Sequence, residues 1–188
     1  GQKCHIAPIH NEQGVLVAQK IRLPKKDFRV LGDLDQGGLI FQNKAADGGK
    51  RLVITEGELD ALSYAQAAPD WPVVSVPNGA QSAVKAVKRS IKFVNSFDEV
   101  VIMFDMDEAG QNAAQACAEL LPVGRAKIAY LPAKDANECL LQGKSAEVIQ
   151  AIFQAREYRP DGIKAAQDYR DVIAVDETAS AISWPYSM

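Results

Sequence analysis

The sequence predicts an α/β protein: a parallel sheet flanked by helices, preceded by a small basic N-terminal lobe of mixed α/β character. Three observations carry this expectation. The runs Leu52-Val53-Ile54, Val73-Val74-Ser75-Val76 and Val100-Val101-Ile102-Met103-Phe104 are short and almost continuously apolar, as strands buried on both faces are. Each is followed by a segment of helical period, and strands alternating with helices at this spacing make βαβ units. The first and third runs end in carboxylates, Glu56 and the pair Asp105 and Asp107, and in sheets of this kind ligands bind off the carboxyl ends of the strands.

Length and composition set the bounds. The chain has 188 residues, 47% hydrophobic and 24% charged, enough for one globular domain with a small lobe or tail. The expected division is a basic lobe over 1–50, a catalytic α/β domain over 51–160, and a linker over 161–188 leading toward a further domain. No apolar run approaches the roughly 18 residues of a membrane span, and no charged-then-apolar leader opens the chain. A soluble protein of cytoplasmic type is expected, with no membrane partner. Cys4, Cys117 and Cys139 are odd in number and far apart, which argues against a disulfide framework, and the lack of any Cys-x-x-Cys pair argues against zinc. The net charge of -3 excludes a global basic field, but its distribution is uneven. Residues 1–30 hold six Lys or Arg against two acids, and residues 98–108 hold five acids and no base, so one lobe can meet phosphates while the other meets cations.

Taken in order, Val15 to Leu23 reads as a strand that puts Lys20 and Arg22 on one face. Lys25, Lys26 and Arg29 follow around Phe28. Lys20, Arg22 and Lys26 are candidate phosphate contacts, a solvated strand face being the plain alternative. Gly37-Gly38 punctuates before the short apolar piece Leu39-Ile40-Phe41. After the strand Arg51 to Glu56, Gly57 is expected to let the backbone turn sharply into a helix whose first turn carries Glu58 and Asp60 as ordinary dipole partners. Asn78-Gly79 marks a loop position of positive φ. The helix after it turns Val84, Val87, Ile91 and Val94 inward and Lys85 and Lys88 outward, where they are candidate contacts to nucleotide or DNA. Beyond Gly110 a helical face runs through Ala113, Ala114, Ala116, Cys117, Leu120 and Leu121. Ala126 to Leu131 is the next strand, and Asp135 or Asn137 caps the helix that follows. Ser145 to Arg156 is an amphipathic helix with Val148, Ile149, Ile152 and Phe153 inward. Past Pro160 the pattern weakens, and the final Trp184-Pro185-Tyr186 run has the look of a chain reaching toward another domain.

The chemistry is concentrated in four acids. Asp105 and Asp107, two apart on an extended chain, face one point in space. Glu56 and Asp135 stand at the ends of neighbouring sheet elements, so all four line one crevice. Like charges this close need a proton, water or cation to offset them, and an oxygen-only donor set favours Mg²⁺ or Mn²⁺. Such centres perform phosphoryl chemistry.

The segments Thr55-Glu56-Gly57-Glu58 with Asp60, Phe104-Asp105-Met106-Asp107-Glu108-Ala109-Gly110, and Lys134-Asp135-Ala136-Asn137-Glu138 resemble the Toprim domain. More narrowly they are similar to the primase part of phage primase-helicases and their relative, the mitochondrial Twinkle helicase. The resemblance covers roughly 15–162, including Gln19-Lys20-Ile21-Arg22 and Lys26-Asp27-Phe28. It implies a DNA primase, a nucleotidyltransferase that makes short RNA on a single-stranded DNA template from ribonucleoside triphosphates. On that pattern Glu56 is general base or metal ligand, and Asp105 and Asp107 are catalytic metal ligands. Glu58, Asp60 and Asp135 are additional acids, while Lys20, Arg22 and Lys26 contact nucleotide or template. Covalently linked zinc-binding and helicase domains are implied as partners. This chain holds neither a zinc-binding Cys set nor a Gly-x-x-x-x-Gly-Lys-Ser/Thr loop, and Asn78 stands where some phage enzymes carry a histidine. Three other readings stay open: a Toprim nuclease or topoisomerase, an Asp-x-Asp phosphatase, and a non-catalytic DNA-binding module of a replicative helicase.

Overall fold

The computed structural model describes residues 4–24, 27–45 and 47–160. Lys26 and the expected linker over 161–188 therefore lie outside the described residues. Gly1–Tyr158 form one compact unit and Arg159–Met188 a second.

The first unit contains two sheets. The N-terminal sheet is antiparallel, in the order β1 (His5–His10), β2 (Leu16–Arg22), β3 (Phe28–Gly32). Lys20 faces Val30 across the ladder and Arg22 faces Phe28, so both cations share a face with two apolar residues, as the two-residue period requires. The strand β1 was not expected from the sequence, because Pro8 and His5 interrupt its apolar pattern. Two short 3-10 turns, Leu34–Gln36 and Gln42–Lys44, lead out of this lobe.

The second sheet follows the order β5-β4-β6-β7-β8, from β4 (Gly49–Thr55), β5 (Val73–Ser75), β6 (Phe97–Met103), β7 (Ala126–Ile128) and β8 (Arg156–Glu157). The first four are mutually parallel and β8 closes the edge antiparallel. The central strands show why their sequences lack alternation. Val100, Ile102 and Phe104 feed one core with Leu52 and Ile54, while Val101 and Met103 feed the other with Val53. Helices α2 (Ala80–Arg89) and α4 (Glu108–Ala118) cover the first face through Ala83, Val87, Ala114 and Cys117. Helices α1 (Glu58–Ala67), α5 (Ala136–Leu141) and α6 (Ser145–Phe153) cover the second through Tyr64, Cys139, Val148 and Ile152.

Several expectations need correction. The helix expected to run through Val94 breaks at Ser90 into α2 and α3 (Ile91–Val94), because the buried Ser90 hydroxyl donates to Gln42 Oε1 at 2.7 Å and its Oγ accepts from Leu39 N at 3.3 Å. The strand expected to reach Leu131 ends at Ile128. Phe153, expected inward, is 62% exposed; it ends α6 and packs edge-on to Trp71 at 5.4 Å. Beyond it the chain forms β8 instead of further helix.

The two-sided core predicts the stability ledger of single substitutions. Ile102→Ala should lower the unfolding free energy by about 3 kcal/mol, as emptying a buried aliphatic site does. Leu141→Ala, at a side chain that is 78% exposed, should stay within about 0.5 kcal/mol. Urea unfolding of both variants checks the contrast.

Candidate active site

Two carboxylates are brought together by strand register. Thr55 pairs with Met103 across the parallel ladder, so Glu56 and Asp105 leave adjacent strand ends side by side. Glu56 Oε2 accepts from the Asp105 amide at 3.4 Å, and Glu56 Oε1 accepts from the Ala80 amide at 3.2 Å. The loop that delivers Ala80 turns on Gly79, whose φ of +67° agrees with the expected positive-φ position. Gly110 is needed for closeness: a Cβ there would lie 2.4 Å from the Asp105 carbonyl oxygen and 3.0 Å from Glu56 Oε2.

The acids of the loops are held by helix ends. Asp107 caps α4, its Oδ1 accepting from Gly110 N at 2.9 Å, and Asp135 caps α5 through Glu138 N at 2.6 Å. Asp107 thus owes its direction to a cap, because β6 has already ended at Met103, and the two-residue strand period expected for the pair does not apply. Asp60 accepts from Asn137 N at 3.1 Å. Lys134, which the sequence reading quoted but gave no role, places its ammonium 3.6 Å from Asp105 Oδ2.

Electrostatically this is a strained neighbourhood. Burial first, then the charges of Glu56 and Asp135, push the Asp105 carboxyl up to about 6 against the opposing pull of Lys134. Burial and the charges of Asp135, Asp105 and Glu56 outweigh the Asn137 N–H and raise Asp60 to about 7. Glu58 and Asp60 lie in the first turn of α1 as expected, but they are more than helix-dipole partners: Asp60 feels the charges of the other acids, and Glu58 is buried against Lys20. The expectation for Gly57 is corrected. Its φ of -124° is ordinary extended backbone, and its lack of a side chain matters because a Cβ would stand 2.7 Å from Asp60 Oδ2.

The basic lobe supplies the opposite wall. A crevice of about 310 Å³ is lined by Lys20, Arg22 and Phe28 from the N-terminal sheet, and by Glu56, Asp60, Asn78 and Asp105 among others. Lys20 does not point a free ammonium into it. Its Nζ donates to Glu58 Oε2 at 2.8 Å, with side chains 12% and 2% exposed. Burial pushes the Glu58 carboxyl up, but the hydrogen bond and charge of Lys20 outweigh it and hold the group below its ordinary value. Arg22 lies over the Phe28 ring at 5.2 Å and Lys20 at 5.0 Å. Phe28 carries no role by residue type alone; the signal in the sequence is a lone aromatic set among Lys25, Lys26 and Arg29. Lys85 turns to Asp35 at 2.7 Å, and Lys85 and the exposed Lys88 on α2 are not among the crevice-lining residues. An apolar cavity of about 280 Å³ lies elsewhere, around Arg51, Trp71 and Phe153.

Among the described residues, no three His, Cys, Asp or Glu side chains are already arranged around a point where one metal ion could sit. The donor set still suits a hard divalent cation, being oxygen-only and self-repelling, with one oxygen of Asp107 and of Asp135 tied to a helix end. Closure around an ion requires the carboxylates to turn inward.

Two expectations follow from these charges. Carboxyls whose folded pKa lies above the value of 3.8 in the unfolded chain bind protons more tightly when folded, so the folded state is favoured below that value and loses that advantage as pH rises. In chelator, thermal stability should fall between about pH 4 and pH 7, Asp60→Asn should flatten the fall, and Mg²⁺ or Mn²⁺ should offset it above pH 7. Separately, Lys20→Ala should cost about 3 kcal/mol by leaving Glu58 buried without its partner, and Lys20→Met with Glu58→Leu should recover most of the loss. Denaturant unfolding of the single and double variants measures this.

Residues 53–140 match the Toprim-like family. The chain is 35% identical over 167 residues, 88% of its length, to the DNA helicase/primase of Enterobacteria phage T3, of which it spans 29%. It superposes on the primase fragment of the bacteriophage T7 primase-helicase with a TM-score of 0.76 and 36% identity, covering 81% of this chain and 64% of that one. A structure of the T7 lagging-strand DNA polymerase interacting with primase domains bound to an RNA/DNA hybrid and dTTP contains a chain that matches with a TM-score of 0.76 and 35% identity, covering 84% of this chain and 81% of that one. The catalytic domain of a DnaG primase bound to single-stranded DNA shares the fold, at a TM-score of 0.58 and 16% identity. With its carboxylates at the ends of parallel strands and a basic antiparallel lobe beside them, the chain belongs to the Toprim primase family of the phage primase-helicases.

Proposed function

We propose that this chain is the RNA-polymerase core of a primase, joining ribonucleoside triphosphates on single-stranded DNA. The observation that carries the reading is the pairing of Glu56 with Asp105 on adjacent parallel strands, opposite a wall that presents Arg22 and Phe28. The relatives point the same way: one is named a DNA helicase/primase, and another is described with an RNA/DNA hybrid bound.

In this reaction a 3′-hydroxyl attacks the α-phosphorus, a new P–O bond forms, and the bond to pyrophosphate breaks. Glu56, anchored by the Ala80 and Asp105 amides, is placed to take the hydroxyl proton. Glu56, Asp105 and Asp107 would hold Mg²⁺ or Mn²⁺, which supplies polarisation of the attacked phosphate and neutralises the leaving charge. After burial and Glu56, Asp135 adds its charge to those that raise Asp105, and Asp60 takes the charges of Asp135, Asp105 and Glu56 in turn. Arg22 offers a fork of donors to phosphate, its orientation fixed by Phe28. Lys20 acts through Glu58, holding the basic lobe against the first turn of α1. Lys26, Lys85 and Lys88 would extend the contact to template or triphosphate. Zinc-binding and helicase domains would be covalent partners, since the chain spans under a third of the phage T3 helicase/primase.

A positioned constellation without a start-site module should extend better than it initiates, because a preformed diribonucleotide already carries the attacking hydroxyl. With labelled ATP and CTP, Mg²⁺ and an oligonucleotide template, extension of a supplied diribonucleotide should exceed synthesis from triphosphates alone. Glu56→Gln and Asp105→Asn should each lower extension by at least about 100-fold. Undiminished extension by Glu56→Gln would remove it from the chemistry. Relaxation or cleavage of supercoiled DNA without RNA synthesis would favour the topoisomerase or nuclease reading, and template binding with no product the non-catalytic one.

A further inference from the structure

The carboxyl end of β7 carries an aromatic side chain that neither core uses. Tyr130 is 47% exposed, and the guanidinium of the exposed Arg156 lies over its ring at 5.3 Å. Strand register puts Tyr130 on the strand next to the one that carries Asp105. Ile102 pairs with Ile128, and Ala129 N donates to Ile102 O at 3.0 Å, so Tyr130 comes level with Phe104, the residue before Asp105. Neighbouring strands stand about 4.8 Å apart. The two loops then stay joined, Met106 N donating to Lys134 O at 2.7 Å and Leu131 N to Met106 Sδ at 3.2 Å.

A tyrosine at an exposed sheet end is free to take any rotamer that solvent allows. Here its orientation is nonetheless held by an arginine brought in by β8, whose Arg156 pairs with Ile128 on the opposite strand direction. One ring face meets the guanidinium, and the residual exposure leaves area for a second planar group. The partner that suits a flat aromatic backed by a cation, one strand from Asp105, is a nucleobase of a single strand.

We propose that Tyr130 and Arg156 form a stacking platform for a base of single-stranded nucleic acid on the carboxyl edge of the sheet, one strand from Asp105. The proposal rests on the primase reading and adds to it a contact that takes hold of bases. The platform is distinct from the Arg22 and Phe28 wall, because it is built from the other sheet and on the other side of β6 from β4.

Stacking and phosphate contact respond differently to the loss of bases and to salt. The 188-residue chain should be titrated with a fluorescent single-stranded oligonucleotide and with an abasic strand of equal length, between 50 and 200 mM salt. Tyr130→Ala should weaken binding of the base-bearing strand by about tenfold at every salt concentration, leaving the salt slope and the affinity for the abasic strand unchanged. Tyr130→Phe should keep most of the affinity. Arg156→Ala should weaken the base-bearing strand more than the abasic one. Thermal melts of all variants matching the wild type would show that the fold is intact, as expected for exposed positions. Equal affinity of Tyr130→Ala and wild type for the base-bearing strand would overturn the platform and leave the primase reading standing, as would an equal loss on the abasic strand. Failure of the wild type to bind either strand would overturn the primase reading, and the platform with it.

Discussion

The structure around the crevice is organised by one unfavourable interaction, the mutual repulsion of carboxylates gathered at the carboxyl ends of two parallel strands. Glu56 and Asp105 are neighbours because β4 and β6 are neighbours, and nothing in either strand can move them apart without breaking the ladder. Burial first, and this repulsion after it, raise the carboxyls of Asp105 and Asp60. The fold offsets part of it with backbone dipoles: amides at Ala80, Gly110, Asn137 and Glu138 each face a carboxylate oxygen. Lys134 adds a partly solvated positive charge at 3.6 Å. What stays uncompensated is a field suited to cations, and to a transition state that needs them.

The same constraint explains the attachment of the N-terminal lobe. Glu58 follows Glu56 by two residues and is driven into the interior by the first turn of α1. A buried carboxylate demands a partner, and Lys20 of β2 provides it. The lobe is thus fastened by an ion pair next to the clustered acids, while Arg22, one step along the same strand face, remains over Phe28 at the crevice. Two cations that look equivalent in sequence do different work, one structural and one facing the ligand space.

The sheet's far end is stabilised separately. Arg51 and Lys127 both reach Glu99 across three adjacent strands, giving the amino-terminal side its own charge pairing.

Much of this was legible in the sequence. The apolar runs of β4, β5 and β6 lack alternation because both faces are buried, and that requirement acts on each strand locally, so their existence and parallel sense, and the acids that end β4 and β6, could be read directly. Gly79's positive φ and Asp135's cap are likewise local, each set by its own turn. What only the tertiary structure decided depends on residues far apart in the chain. The break at Ser90 follows from Leu39 and Gln42, about fifty positions away, and β1 and β8 exist because an adjacent strand offers them hydrogen bonds. The commitment of Lys20 to Glu58, the protonation range of Asp60 and the closeness that requires Gly110 come from side chains meeting across elements. Residue types and spacing define which groups can react, but the energies of those groups are set by neighbours that sequence distance does not reveal.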